Sequence, residues 1–396
     1  MKVPEGWSKK TLEDIANVSS GGTPSRGKPE YWNGAIPWVT TAEIDFCEIF
    51  DTTEKITQDG LNNSSAKLFP IGTVLLAMYG QGKTRGKVAK LGIEATTNQA
   101  CAAIVFKHNF CVEYYYQYLR SQYDNIRNLS NSGSQENLSG SIVKSIQVPA
   151  PPLPEQQKIA QILSTWDKAI ATCEQLLFNN QQQKKALMQQ LLTGKKRLLD
   201  EDGVRFCGEC PEYLLEKIEK LGWAELGRGN VISKKDMEDI PGEYPIYSSS
   251  VKNNGLMGAY GDFMFEEELI SWSVDGGGNF FYRPKHKFSI TNVSGYMRLD
   301  TNKLDYQFIA AQLEFLHSKL KFDYQTKAHP SVIRKMYILA IPTLEEQKKI
   351  ATVLTTADRE IELLQTQLES LKQEKKALMQ QLLTGKRRVK LENCYA

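Results

Sequence analysis

From Ile159 to Leu191, and again from Ile350 to Leu382, apolar residues recur at alternating steps of four and three. In the first stretch the seam runs Ile159, Leu163, Trp166, Ile170, Cys173, Leu177, Asn180, Lys184, Leu187, Leu191. In the second it runs Ile350, Leu354, Ala357, Ile361, Leu364, Leu368, Leu371, Lys375, Leu378, Leu382. A 3.5-residue period predicts two helices with coiled-coil seams, and two such seams in one chain most simply pair with each other. The alternative is a pair of ordinary helices in separate cores.

The two stretches are copies. Residues 153–197 and 344–388 align without a gap at an offset of 191, with 25 of 45 positions identical, including an unbroken KKALMQQLLTGK. Pro154 suits a first helical turn, and Thr343 followed by Glu346 reads as a capping box. Gly194 and Gly385 stand where a left-handed C-cap is wanted, with basic residues beyond them. Met188, Leu192, Met379 and Leu383 widen the apolar face, toward either a neighbouring domain or a partner protein.

Residues 1–150 and 205–342 are patterned differently. Short β-branched and aromatic runs bounded by Gly, Pro and Asn read as strands, while 112–123 and 306–320 read as helices. Each half opens on a Gly-Trp pair (Gly6-Trp7, Gly222-Trp223) and has a strand leading into a glycine-rich loop, so the halves look like distant relatives. The expected fold class is mixed α/β (α+β): two domains, 1–150 and 205–342, with spacer helices at 151–197 and 343–388 forming an antiparallel coiled coil with pseudo-twofold symmetry.

The first glycine-rich loop carries the candidate chemistry. Gly82-Lys83-Thr84 after an apparent strand comes close to a phosphate-binding loop, but Ala77 stands where the motif needs Gly, and two glycines follow where a helix should open. The loop reads better as a nucleic-acid contact. Lys83, Arg85, Lys87 and Lys90 place four positive charges in eight residues, and Gln81 and Arg85 have the forked geometry that grips base edges. Gln81, Lys83, Thr84, Arg85 and Lys87 are the candidates there, with Arg85 expected on a base and Lys87 on a phosphate. The second half offers Ser248, Asn253, Asn254, Asn279, Arg283, Lys285, Lys327 and His329. For each residue the alternative is a solvated surface position.

Composition adds exclusions. With 49 basic and 46 acidic residues the net charge is +3, so any nucleic-acid contact has to come from local patches. Seven cysteines suggest no disulfide framework, and Cys207-Gly-Glu-Cys210 is half a zinc motif without a second half. No nucleophile elbow, zinc-protease helix, flipped-base motif or dinucleotide fingerprint is present, so catalytic, cofactor and metal residues are expected to be none. No apolar run spans a membrane, and a cytoplasmic protein is expected. An ATPase using Lys83, a fused methyltransferase, and a scaffold that binds only protein stay open as rivals.

The runs PPLPEQQKIAQIL and PTLEEQKKIATVL, the paired QQLLTGK ends, the opening GWSKKTLEDIANVSSGGTPSR and the run-in NLSGSIVKSIQVPAPPLPEQ together resemble HsdS, the specificity subunit family of type I restriction–modification systems, over essentially the whole length. The resemblance implies a non-catalytic chain whose two target-recognition domains read the halves of a split double-stranded DNA sequence. It also implies partners: two methyltransferase subunits using S-adenosylmethionine, and restriction subunits, with ATP and Mg confined to those partners. The seam from Ile350 to Leu382 covers 33 residues, about 50 Å at 1.5 Å per residue, the order of the distance between half-sites on one DNA face.

Overall fold

The computed structural model describes residues 3–80, 82–129, 137–275, 277–320 and 327–391. The chain forms two compact units that cut across both long helices: residues 1–173 with 367–396, and residues 174–366. The helices span Leu153–Leu191 and Leu344–Leu382, so each unit holds one end of each.

In the first unit the central sheet pairs strands in the order Ala16–Ser20, Cys101–Phe106, Val74–Ala77, Val88–Leu91, Glu48–Ile49. The strand Val74–Ala77 is buried throughout, and alternation splits it between two cores. Val74 and Leu76 join Leu12, Ile104, Tyr114 and Leu119 on the helical side, while Leu75 and Ala77 join Ala89, Leu91 and Ala103 on the other. A strand covered on both faces has no polar positions, which is why it reads as a continuous apolar run. The same helical-side core takes in Ile159 and Leu163 from the start of the first long helix and Leu382 and Leu383 from the end of the second.

The second unit repeats this frame. Its sheet order is Ala224–Arg228, Ser294–Leu299, Phe265–Ser273, Phe280–Ile290, Tyr244–Tyr247, Leu256–Tyr260. Its main core gathers Ile270, Trp272, Met297, Phe308 and Leu313 with Ile350 and Leu354 from the start of the second helix and Leu191 and Leu192 from the end of the first. Met188, Leu192, Met379 and Leu383, which widened the apolar face in sequence, thus pack on the domain cores.

Midway along the helices, Ile170, Leu177, Ile361, Leu364, Leu368 and Leu371 are half-buried among exposed neighbours, so the seam spacing is visible as covered positions. In the first unit Asp167 meets Lys375 at 2.6 Å, and in the second Asp358 meets Lys184 at 2.6 Å. The 191-residue repeat carries each pair onto the other. Pairing the start of one helix with the end of the other makes the arrangement antiparallel in both units. Asn180, a polar seam residue, donates to Leu176 O of its own helix at 2.9 Å.

The helix ends explain the repeat's invariant termini. Gly194 (φ 67°) and Gly385 (φ 70°) adopt the left-handed conformation, and the bonds Lys196 N–H to Gln190 O (3.0 Å) and Arg387 N–H to Gln381 O (3.1 Å) close Schellman turns. Each turn delivers an arginine to the first turn of the opposite helix. Arg388 donates to Glu155 at 2.7 and 2.8 Å, and Arg197 donates to Glu346 at 2.6 and 2.5 Å. Trp7 Nε1 adds a third bond to Glu155 at 2.9 Å. Only half of the expected capping box forms. Thr343 Oγ1 accepts the Glu346 N–H at 3.4 Å, but the Glu346 carboxylate turns to the guanidinium, a stronger partner than a backbone N–H.

Both carboxylates are buried, Glu155 at 2% and Glu346 at 1% exposure. Removing the cation leaves a buried charge uncompensated. Arg197→Ala is expected to destabilise the fold by about 3 kcal/mol, and Arg197→Ala with Glu346→Gln to recover part of that loss. Chemical denaturation checks both; equal stability of Arg197→Ala and wild type would remove the ion pair from the argument.

Candidate nucleic-acid interface

In the first unit, backbone bonds draw four loops to one place. Gly22 N–H donates to Thr97 O (2.8 Å), Met78 N–H to Ala100 O (2.9 Å) and Leu138 N–H to Met78 O (3.0 Å). The loops 21–28, 78–87, 98–100 and 137–139 are thereby joined, with Thr23 Oγ1 bonded to Gln99 Oε1 at 2.5 Å. Gly21 is required for the approach: a Cβ there would lie 1.9 Å from Thr97 O.

The second unit repeats the ties. Asn230 N–H donates to Ile290 O (3.0 Å), Val274 N–H to Val293 O (3.0 Å) and Ala328 N–H to Val274 O (2.9 Å). A Cβ on Gly229 would meet Ile290 O at 2.0 Å, the counterpart of Gly21. The loop 248–255 joins through Ser273 Oγ to Ser249 O at 2.8 Å.

On this frame the sequence candidates separate. Lys83 is exposed, and its carbonyl accepts the Tyr123 hydroxyl at 2.6 Å; Thr84 is half-buried. Arg85, expected on a base edge, is buried at 7% exposure. Lys87, expected on a phosphate, is half-buried and bonded to Asp45 at 2.6 Å, and Lys90 pairs with Glu113 at 2.8 Å. The fold supplies acids that the eight-residue window lacks. Gln81 lies outside the described residues.

In the second unit Asn253 and Asn254 are exposed with left-handed backbones (φ 52° and 49°), which asparagine tolerates better than most residues. Ser248 closes the same loop, its N–H donating to Gly255 O at 2.8 Å. Arg283 lies beneath that loop at 4% exposure. It donates to Asn254 O (2.7 Å) and Ser271 Oγ (2.9 Å), and stacks 3.7 Å from the Tyr247 ring. Burial pulls its pKa down to about 10, still far above neutrality. It therefore holds the loop from inside as a cation. Asn279 is half-buried, and its carbonyl accepts Ser273 N–H at 3.0 Å. Lys327 is exposed and pairs with Asp275 at 3.2 Å, and His329 stands at the N-cap position of the helix Pro330–Met336 without a side-chain capping bond. Lys285 is exposed on the strand Phe280–Ile290, and no described bond ties it to the loop cluster.

Sequence reasoning passed over Arg26. Its guanidinium stacks 3.7 Å from the Trp32 ring and is bonded to Glu54, with one N–O distance of 2.8 Å, in the loop that carries Thr23. The basic residues of GGTPSRGK stood in view, but the two tryptophans and the glutamate that organise them come from farther along the chain.

Among the described residues no group of three His, Cys, Asp or Glu is placed to hold a metal, and no helix is long and apolar enough to cross a membrane. Cys207 is exposed and Cys210 half-buried.

Two α/β units of one plan, each gathering its loops at one place, make this a duplicated α/β protein. The chain belongs to the family of the type I restriction modification DNA specificity domain, whose model matches residues 4–178 and 222–373. It is 33% identical over 174 residues to the type I restriction enzyme MjaIX specificity subunit of Methanocaldococcus jannaschii, and 30% identical over 164 residues to the EcoR124I/EcoR124II specificity subunit of Escherichia coli. These matches cover 43% and 40% of this chain, and only 40% of each relative's length. The fold is similar to the crystal structure of the type I system S subunit from M. genitalium, with a TM-score of 0.64 at 16% identity, 97% of this chain and 98% of that one being covered. The HsdS structure from Thermoanaerobacter tengcongensis matches at a TM-score of 0.52, also at 16% identity, over 98% of this chain and 99% of that one.

If Arg283 supports the loop from within, its loss loosens residues 248–255. Arg283→Gln is expected to lower the melting temperature by several degrees, in proportion to about 1–3 kcal/mol for lost bonds to a buried charged group. It should also hasten proteolytic cleavage within 248–255. An unchanged cleavage rate at that loop would refute the clamp.

Proposed function

We propose that the chain is the DNA-reading subunit of a type I restriction–modification complex, each unit contacting one half of a split double-stranded target and doing no chemistry itself. The observation that carries this reading is the matched clustering of polar and basic loops in two units whose frames agree while their exposed side chains differ. The same frame with different side chains suits two independent readings.

The contact surface in this reading is the exposed set, Lys83 in the first unit and Asn253 and Asn254 in the second. Arg26 and Lys327 stand beside them, exposed but already paired with Glu54 and Asp275. The partners are two methyltransferase subunits, which would carry S-adenosylmethionine, and restriction subunits with ATP and Mg. Two copies of the methyltransferase follow from the near-identical outer surfaces of the repeated helix ends, and native mass spectrometry of the reconstituted complex is expected to show two per chain. A complex that never exceeds one would overturn the symmetric arrangement.

Sequencing the methylation pattern of cells that express the chain with its methyltransferase tests the main reading, and a split, gapped motif is expected. An ungapped motif, or none, would overturn it. Within that complex, Lys83→Ala is expected to weaken binding to all duplex sequences alike and to reduce the salt slope by about one. Lys87→Ala should change the slope less, because Asp45 already neutralises Lys87. A slope unaltered by Lys83→Ala would take that loop out of the interface.

A further inference from the structure

The two units hold corresponding side chains in one cluster beside the long helices, and the correspondence is set by backbone bonds. Gln156 and Gln347, related by the repeat, each accept the N–H of the residue that opens a domain helix, Cys111 and Asp305, both at 2.9 Å. Glu113, Gln117 and Arg120 on the helix Val112–Ser121 thus match Gln307, Ala311 and Glu314 on the helix Tyr306–His317. The bonds of Met78 and Val274 to Leu138 and Ala328 align the neighbouring strands, and the pairings Val74 with Lys90 and Ile270 with Tyr282 place Lys90 opposite Tyr282 in this match.

In the first unit the cluster is full. Asp167 receives Lys375 at 2.6 Å, Gln117 at 2.7 Å and Arg120 at 3.2 Å, and the Arg120 guanidinium lies 5.8 Å from the Phe46 ring. In the second unit Asp358 receives Lys184, but alanine replaces the glutamine and glutamate replaces the arginine. The space is a cavity of about 210 Å³ lined by Asp358 and its partner Lys184, with Glu314, Phe280, Tyr282 and Ala311. A second cavity, of about 610 Å³, shares Asp358, Glu314, Phe280 and Tyr282 and reaches Asn254 and Asn279 of the loop cluster.

We infer that this cavity receives an arginine side chain from a protein partner, occupying in the second unit the role that Arg120 fills within the chain in the first. Two carboxylates and two aromatic rings face this space. Asp358 already holds Lys184, as Asp167 holds Lys375 beside Arg120. The second carboxylate, Glu314, leaves negative charge for a planar cation to meet by forked hydrogen bonds and cation–π attraction. The matched site already shows a guanidinium held between an aspartate and an aromatic ring. A lysine or a polyamine would satisfy the charge but not the fork. The inference stands apart from DNA reading, since salt-dependent duplex binding can hold or fail without it.

The test uses the full chain and a capped Gly-Arg-Gly tripeptide, followed by saturation-transfer NMR, with the citrulline and lysine tripeptides and spermidine as comparisons. Saturable binding of the arginine peptide is expected, with the citrulline peptide at least about tenfold weaker, the ratio that loss of one charge-assisted bond implies. Glu314→Arg, which places in the second unit the residue already tolerated at Arg120, should abolish that binding without lowering the melting temperature. Glu314→Gln, a neutral change on an exposed helix position, should weaken binding by a similar factor and serves if the arginine variant folds poorly. Absence of saturable arginine binding, binding indifferent to both variants, or equal binding of the lysine peptide or spermidine would each overturn the inference.

Discussion

Burying a carboxylate at the start of each long helix constrains everything else in this fold. Glu155 and Glu346 are almost fully enclosed, and an enclosed carboxylate is tolerable only with a cation and hydrogen bonds around it. The cation in each case arrives after the Schellman turn of the opposite helix, so the glycine, the turn and the arginine form one device. Coiled-coil seams by themselves permit slips of whole heptads. A buried charge that finds its partner in one alignment alone removes that freedom, and the Asp167–Lys375 and Asp358–Lys184 pairs reinforce the same alignment. Each domain core then closes over one helix start and one helix end held in fixed register.

The long-helix organisation was legible in sequence because its determinants are local and repeated. The seam period, the C-cap glycines and the 191-residue offset need no knowledge of distant contacts. The membership of Met188 and Leu192 in a domain core was ambiguous from periodicity, since an apolar stripe beside a seam looks the same whatever covers it. The half-formed capping box at Thr343 shows the same limit from the polar side. A motif that satisfies a local rule loses one of its bonds when a guanidinium from 149 residues away offers a better partner.

The loops were legible in composition and not in exposure. A string of Lys83, Arg85, Lys87 and Lys90 looks uniformly basic, yet the fold buries one member and gives two others carboxylate partners, Asp45 and Glu113. Arg283 shows the reverse of a surface arginine. Its donors face a carbonyl and a hydroxyl within the domain, and its stack on Tyr247 fills space that a smaller side chain would leave open. Such assignments depend on which strand lies beside which, and in both units strands from distant parts of the chain are neighbours.

The loop clusters are held by backbone donors and acceptors, and this separates shape from chemistry. The bonds from Met78 to Leu138, and from Val274 to Ala328, involve no side-chain atom. Glycine is demanded at Gly21 and Gly229 because backbone meets backbone there, not because of any ligand. Side chains on the same loops are therefore free to differ without moving the frame, and they do: a lysine and a stacked arginine in one unit, paired asparagines and a lysine in the other. Placing the fixed bonds in the main chain and the variable groups on the rim lets one architecture present two different chemistries. The clusters beside the long helices diverge in the same manner, from Arg120 and Gln117 to Glu314 and Ala311, on helices anchored by equivalent glutamines. The duplication thus supplies two equal frames whose side chains differ where no backbone bond depends on them.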